Sequence, residues 1–219
     1  MKPVKNARAK RLTLRLDYRE RLFVLTLPRY CSAAKAVSFL QANDEWMQDK
    51  LRELPERVAF EHGTVLSLFG ERTKIQIEYD ESFTRTDCFL EDGLLAVRTN
   101  QEDPSMRITR YLKRIAKERL SALTQDKADM IDQAVQSVSI RDTKSRWGSC
   151  SADGHISLSW RLIFAPYEAM DYVVAHEAAH LVHMDHSKAF WALCRELSDD
   201  YVEGHHWIQS NGHSLMRFG

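Results

Sequence analysis

No stretch of this chain approaches the roughly 20 consecutive apolar residues needed to span a bilayer, and its basic start leads into no apolar signal core. The expectation is a protein with no membrane partner. Cysteine is sparse and scattered: Cys31, Cys88, Cys150 and Cys194 form no C-x-x-C pair, which removes a thiolate metal ribbon from consideration. A chain of 219 residues can bury a full core without disulfides, so reduced thiols and a cytoplasmic location are expected. Cys150 reads as a small buried residue at a strand end rather than a nucleophile. Net charge is also missing, because 31 lysines and arginines balance 31 acidic residues. No aromatic-basic interleaving stands in for it, and a nucleic-acid partner is not expected. Neither internal repeats nor low-complexity segments occur, and oligomeric state and peptide specificity leave no trace in the sequence.

One local charge imbalance breaks this neutrality. The first eleven residues, MKPVKNARAKR, hold five basic side chains and no acidic one. A polyanion-binding arm and a solvated, unstructured tail are both consistent with that, and the tail is the favoured reading. Beyond it, RLTLRLDY and RLFVLTLP alternate apolar and polar positions around DYRE, predicting a hairpin. Ser32 can cap one helix carrying Val37, Leu40, Met47, Leu51 and Leu54, ended by Pro55. TVLSLFG, RTKIQIEYD and GLLAVRTN predict three further strands. The pattern changes near Asn100. Pro104 opens a helix with Ile108, Tyr111, Leu112 and Ile115 on its apolar face, and helical character extends to about Gln136. SVSIRD and GHISLSW read as strands framing TKSRWGSCSAD. Pro166 opens another helix, and SKAFWALCRELS a third. The expected class is α+β, with a β-rich region holding one helix over 1–100 and an α+β domain over 101–219.

The Pro166 helix carries VVAHEAAHLVHMDHSKAFW, with four of the nine histidines between His176 and His186. His176-Glu177-Ala178-Ala179-His180 is H-E-x-x-H. Two histidines four apart lie one turn apart on one helix face, where both can reach one ion at about 2.0–2.1 Å. Glu177, rotated off that face, can act on a bound water as general base. Two histidines placed there by chance are the plainer alternative, but buried imidazoles among valines and alanines each need a partner. His183 shares the face but stands about 10.5 Å further along the axis than His176, too far for the same ion. It belongs to the wall or outer surroundings of the site. His186 can serve if the chain leaves the helix after about His183 and turns back. The spacing from His180 to His186 equals that of H-E-x-x-H-x-x-G-x-x-H, with His183 in the glycine's place, where a left-handed backbone is less accessible to histidine. Three histidines and a water would give the open coordination of a catalytic zinc. His205 and His206 are fallback ligands, more simply read as surface histidines.

Together SRWGSCSADGHISLSWRLIFAP, YVVAHEAAHLVHMDHSKAFW and DDYVEGHHW resemble the YgjP-like metallopeptidases, which are related to SprT/Spartan-like and broader gluzincin-type zinc peptidases. The specific match runs from about Arg141 to Trp207. The resemblance implies a zincin-like C-terminal domain with zinc as cofactor, His176, His180 and His186 as ligands, and Glu177 as the catalytic residue. Departures are Asp185 where the family has Asn, LSW for L-N-W, and Ser198-Asp199-Asp200 for a proline-aspartate pair. None removes a ligand. Some members carry a UTP pyrophosphatase label instead. Peptide or unfolded protein is therefore the expected substrate, with a nucleotide as the alternative and a non-catalytic zinc-stabilised binding module as a third possibility. Tyr201, His205 and His206 are candidates to stabilise a developing oxyanion. Arg141, Lys144, Arg146 and Arg161 could meet phosphate, although a structural part in the fold is the favoured reading for these cations. Trp147, Trp160 and Trp191 are read as core.

Overall fold

The computed structural model describes residues 1–144 and 146–219; Ser145, which opens the S-R-W-G-S-C run, lies outside them. Contacts divide the chain into two units, Met1–Arg57 and Val58–Gly219. In the first, β1 (Lys2–Lys5), β2 (Thr13–Asp17) and β3 (Leu22–Leu27) form a sheet in the order β1-β3-β2. The β2–β3 hairpin is the one its alternation predicts, antiparallel with Leu16 opposite Phe23. Its turn is held by Asp17 Oδ1, which accepts from Glu20 N at 3.0 Å. The basic start departs from expectation. Residues 2–5 pair in parallel with β3, although all four remain exposed. Backbone ladder bonds alone recruit this strand, so no apolar pattern could announce it.

The helix expected from Ser32 to Leu54 is two helices, α1 (Ala33–Ala42) and α2 (Asp44–Arg52). Asn43 separates them: at φ −113°, ψ 13° it leaves the helical region, and its Nδ2 donates to Phe39 O at 2.7 Å. An asparagine that bonds back to the preceding turn offers the backbone an alternative to continuing. Ser32 caps α1 as expected, accepting from Lys35 N. Leu16, Phe23 and Met47 form the small core of this unit.

In the second unit β4 (Val65–Leu68), β5 (Glu71–Tyr79), β6 (Asp87–Glu91) and β7 (Leu94–Thr99) make a sheet ordered β4-β5-β7-β6, with β5 and β7 parallel. Then follow α3 (Ser105–Asp129), β8 (Ser137–Arg141), β9 (Gly148–Cys150), β10 (His155–Ser159), a 3₁₀ segment (Trp160–Phe164), α4 (Tyr167–Ala179), α5 (Lys188–Leu197) and α6 (Tyr201–Asn211). The second sheet runs β8-β10-β9, with β9 antiparallel to β10 at one edge. An organisational break near residue 100 is not found. Leu66, Leu68, Ile75, Leu95 and Val97 share one core with Ile108, Leu112 and Leu120 of α3 and Val174, Ala175 and Ala178 of α4. The composition changes at Asn100 because secondary structure changes there, while the hydrophobic core runs straight through it.

Burial of α4 brings a charge with it. Asp171 is fully buried and stands 2.6 Å from Lys127 Nζ of α3, itself almost buried. Lys127 also reaches Asp199 at 2.8 Å. The remaining oxygen of Asp171 accepts from Ser198 Oγ and from Asp199 N. Burial alone would lower the lysine's pKa; the carboxylates of Asp171 and Asp199 outweigh it and hold it above its ordinary value. This closed cluster fastens α3, α4 and the segment between α5 and α6 together. It also gives Ser198 and Asp199 a structural task in the family's departed proline-aspartate position.

Candidate metal centre

α4 has no polar face to present. Val173, Val174, Ala175, Ala178 and Ala179 are all buried, so what its last turn carries is enclosed by packing. His176 and Glu177 lie in that turn, and His180 is the residue at which the helix stops, at φ −68° and ψ −15°. Leu181 N and His183 N bond back to Ala178 O and Ala179 O, closing the end in a tight turn. The chain therefore leaves the helix at His180, three residues earlier than the sequence suggests. His183 does not adopt a left-handed backbone, since the positive-φ non-glycine residues are Arg21, Phe69, Asp92 and Asp132.

His183 nevertheless contributes through its main chain. His180 Nδ1 lies 2.9 Å from His183 O, so Nδ1 carries the proton and donates, leaving Nε2 as the lone-pair nitrogen. Past the turn, Asp185 Oδ1 accepts from Ser187 N, and Ser187 Oγ caps α5 by accepting from Phe190 N. These bonds bring His186 back over α4, with Nε2 3.3 Å from Nε2 of His176. The three candidate ligand atoms of His176, His180 and His186 all lie within 4.8 Å of one another. Two imidazoles on one tetrahedral zinc, with bonds of about 2.05 Å, would stand about 3.3 Å apart, so the donor set fits such an ion. Phe190, fully buried, contacts all three rings at 4.5–4.9 Å between centroids. Trp191 lies against His176 and His186 and thus borders the cluster as well as the core. His176 Nδ1 is buried without a hydrogen-bond partner among the described residues; contacts with Tyr172, Phe190 and Trp191 orient this ring instead.

Burial disfavours the charged forms of His176, Glu177 and His180. Burial first, then the neighbouring His180, His186 and His205, push His176 down to about 4. Burial also lowers His180. Burial raises the Glu177 carboxyl to about 8, against the opposing pull of Arg146. Neutral imidazoles are the form that binds metal.

Glu177 is positioned by a residue that sequence reasoning passed over. A Cβ placed on Gly148 of β9 would come 2.4 Å from Glu177 Oε1 and 2.5 Å from its Cγ. The carboxylate thus rests against bare backbone, and no side chain fits between strand and helix. A glycine inside a short strand is a signal of such close approach, but an isolated one is weak. Gly204 of α6 is a second case: a Cβ there would meet Glu168 O at 2.2 Å and Tyr172 Cβ at 2.6 Å, so α6 sits directly on α4. That contact brings in Tyr201 and His205, whose rings stack at 5.5 Å, both against Tyr172. His205 also bonds to Gln209 Nε2 at 2.9 Å. His206 is exposed and is not among the converging imidazoles.

The four cations do not assemble as one group. Arg146, exposed, acts on Glu177. Arg161 is buried, donates to Phe218 O and to Asp142, and lies over Trp160; it belongs to the fold. Arg141 lies at the end of β8, across β10 from β9. Lys144 is exposed. Beside Glu177 is a small cavity of about 190 Å³ lined by Trp147, Gly148, Tyr172, Val173, His176 and Ile208.

A family model for the YgjP-like metallopeptidase domain matches residues 10–211. The chain belongs to that family. As a YgjP-like chain it falls among metallohydrolases, and family membership implies a metal; among the described residues, His176, His180 and His186 form a group that could hold one. No curated protein matches it. Among solved structures, the metallopeptidase zymogen of Pyrococcus abyssi abylysin is similar over 42% of this chain and 95% of that one, at 23% identity and a TM-score of 0.38. Among the described residues, no helix of this YgjP-like chain is long and apolar enough to cross a membrane.

Proposed function

We propose that the chain is a zinc-dependent peptidase acting on extended or unfolded polypeptide, with Glu177 as its general base. The observation that carries this reading is the placement of Glu177: buried, pressed against Gly148 of an edge strand, and next in sequence to a converging imidazole. His176, His180 and His186 would hold the ion through Nε2. When bound, zinc supplies Lewis acidity and a water of lowered pKa. Glu177 accepts the proton of the attacking water at its carboxylate and delivers it to the leaving amide nitrogen.

Substrate orientation follows from β9. Ser159 N bonds to Trp147 O, and Ser151 N to His155 O. In an antiparallel ladder the residues between these, Gly148 and Cys150, turn their backbone groups outward. An extended peptide pairing with that edge would pass Glu177 with its backbone in register. The cavity lined by Trp147, Tyr172, Val173 and Ile208 would accept one apolar side chain next to the scissile bond. His205 and Tyr201, packed against Tyr172, would donate to the developing oxyanion, and Arg146 would meet a substrate carbonyl or carboxylate. Nucleotide hydrolysis draws less support, because Arg161 is engaged by Phe218 O and Asp142 and Arg141 ends β8, at the edge of the sheet opposite β9. A binding module draws less support as well, because three imidazoles, without a fourth protein ligand among the described residues, form the candidate group.

The test is Glu177→Gln. The variant should retain its zinc by metal analysis and lose cleavage of an unfolded-protein panel by about 10²–10⁴-fold. Unchanged cleavage would remove Glu177 as the base. Release of pyrophosphate from UTP by zinc-loaded protein that cleaves no polypeptide would replace the peptidase reading.

A further inference from the structure

A second surface lies at the opposite edge of the sheet that carries Gly148. Along α3, Arg110, Lys113, Arg114 and Lys117 recur at three- and four-residue spacing and form one row. They wall a groove of about 740 Å³ whose other side is residues 138–142 of β8 and its end. Five consecutive residues of a strand cannot all belong to one face, so the groove follows the edge of β8. That edge has no strand beside it among the described residues, because β8 pairs with β10 alone.

Charge in the groove is one-sided. Arg110, Lys113, Arg114, Lys117 and Arg141 face a single carboxylate, Asp142. Asp142 is taken by Lys113 at 3.3 Å and by Arg161. Arg114 has Glu118 at 3.8 Å, both exposed. Arg110, Lys117 and Arg141 are exposed and form no ion pair among the described residues. Such a row normally spreads along a convex solvated face; here it lines a concavity beside unpaired backbone.

We propose that this groove binds an extended acidic polypeptide segment, which adds a strand to β8 and sets its carboxylates against Arg110, Arg114, Lys117 and Arg141. Side chains two apart on an extended chain are about 6.7 Å apart. Residues four apart on a helix are separated by about 6 Å along its axis. Alternate acidic residues on the bound strand thus keep step with Arg110 and Arg114, Lys117 following about 4.5 Å further along the helix, within reach of its long side chain, while the backbone of the strand satisfies the open edge. A nucleic-acid strand would use only the cations. Single-stranded nucleic acid relies on aromatic platforms, and the groove's aromatic lining, Trp160, is buried with Lys113 and Arg161 over its ring. The proposal does not depend on the histidine centre.

Binding is measured on the full-length chain carrying Glu177→Gln, so that no cleavage intervenes. The ligand is a dye-labelled peptide of alternating Thr and Glu, followed by fluorescence anisotropy. Saturable, salt-sensitive binding is expected. It should weaken at least about tenfold when Arg110, Arg114 and Lys117 are together reversed to Glu, and comparably when alternate peptide nitrogens are methylated. Arg141→Glu alone, an exposed change at the strand end, must also weaken it; this variant carries the test if the triple one does not fold by circular dichroism. The proposal is overturned if no saturable binding occurs, if methylation or Arg141→Glu leaves affinity unchanged, if a Thr-Lys peptide binds equally, or if an oligodeoxythymidylate of matching length binds as tightly. Groove failure leaves the activity assay of Glu177→Gln untouched, so the two readings fall separately.

Discussion

Two buried polar constellations share α4, five residues apart, and they are built on opposite rules. Asp171 is fully buried and fully compensated, by Lys127, Ser198 Oγ and the backbone of Asp199. His176, Glu177 and His180 sit in much the same apolar packing, with His186 exposed beside them, yet Nε2 of His176 faces Nε2 of His186 and the carboxyl of Glu177 feels the opposing pull of exposed Arg146. The first group is closed upon itself. The second brings three imidazoles together, their candidate ligand atoms within 4.8 Å of one another. Burial is common to both and therefore decides nothing; what separates a structural cluster from a reactive one is whether its partners are supplied from within.

The sharpest way to separate the two is to remove one carboxylate from each. Glu177→Gln should cost about 10²–10⁴-fold in peptide cleavage while leaving thermal stability unchanged or higher, since a carboxyl whose ionisation burial opposes is removed. Asp171→Ala should do the reverse. It strands the buried ammonium of Lys127 with Asp199 alone, and the loss should be about 3–5 kcal/mol in urea unfolding. If Asp171→Ala unfolds like the parent, the ion cluster is not what fastens α4.

Next comes Gly148→Ala, which adds one methyl where Glu177 Oε1 would be 2.4 Å away. The carboxylate must shift, and kcat should fall by about 10²-fold for a displacement of this order, with metal content retained. Loss of zinc in this variant would instead mean that β9 supports the ligands. His183→Ala should be milder. Its backbone carbonyl still receives His180 Nδ1, so zinc affinity should change by far less than the about 10–100-fold that losing such a partner costs; a competitive chelator titration reads this directly.

The smallest effect belongs to pH. Hydrogen bonds from Lys127 and Tyr167 lower the Asp199 pKa from its ordinary value against some burial. A depressed folded-state pKa contributes stability that is present above the unfolded carboxylate value and lost as pH falls through the lower folded one. Asp199 is more than half exposed, so the change is small. Melting temperatures below about pH 4 should fall slightly less in Asp199→Asn than in the parent.

The elements that bury a continuous apolar face were legible in the sequence. The β2–β3 hairpin, α3, α4 and α5 all follow from their periodicities. What could not be read was held by backbone chemistry or by distant packing. β1 and β9 are short strands recruited by ladder bonds; Asn43 splits a helix that hydrophobic spacing alone would run through. The site divides the same way. His176, Glu177 and His180 follow from helical spacing, but the return of His186 depends on Asp185, Ser187 and a helix that stops at His180. Gly148 and Gly204 act by having no side chain, and one sequence gives no means of telling such a glycine from an idle one.

Gly204 has a further consequence. Because α6 rests on α4 through bare backbone, the distance from His205 to His176 is set by the thickness of two main chains rather than by any adjustable side chain. A residue of graded size at this position would act as a shim, lifting Tyr201 and His205 away from the imidazoles by steps while every ligand stays in place. Transition-state contact and metal binding could then be tuned independently, from a position that touches neither.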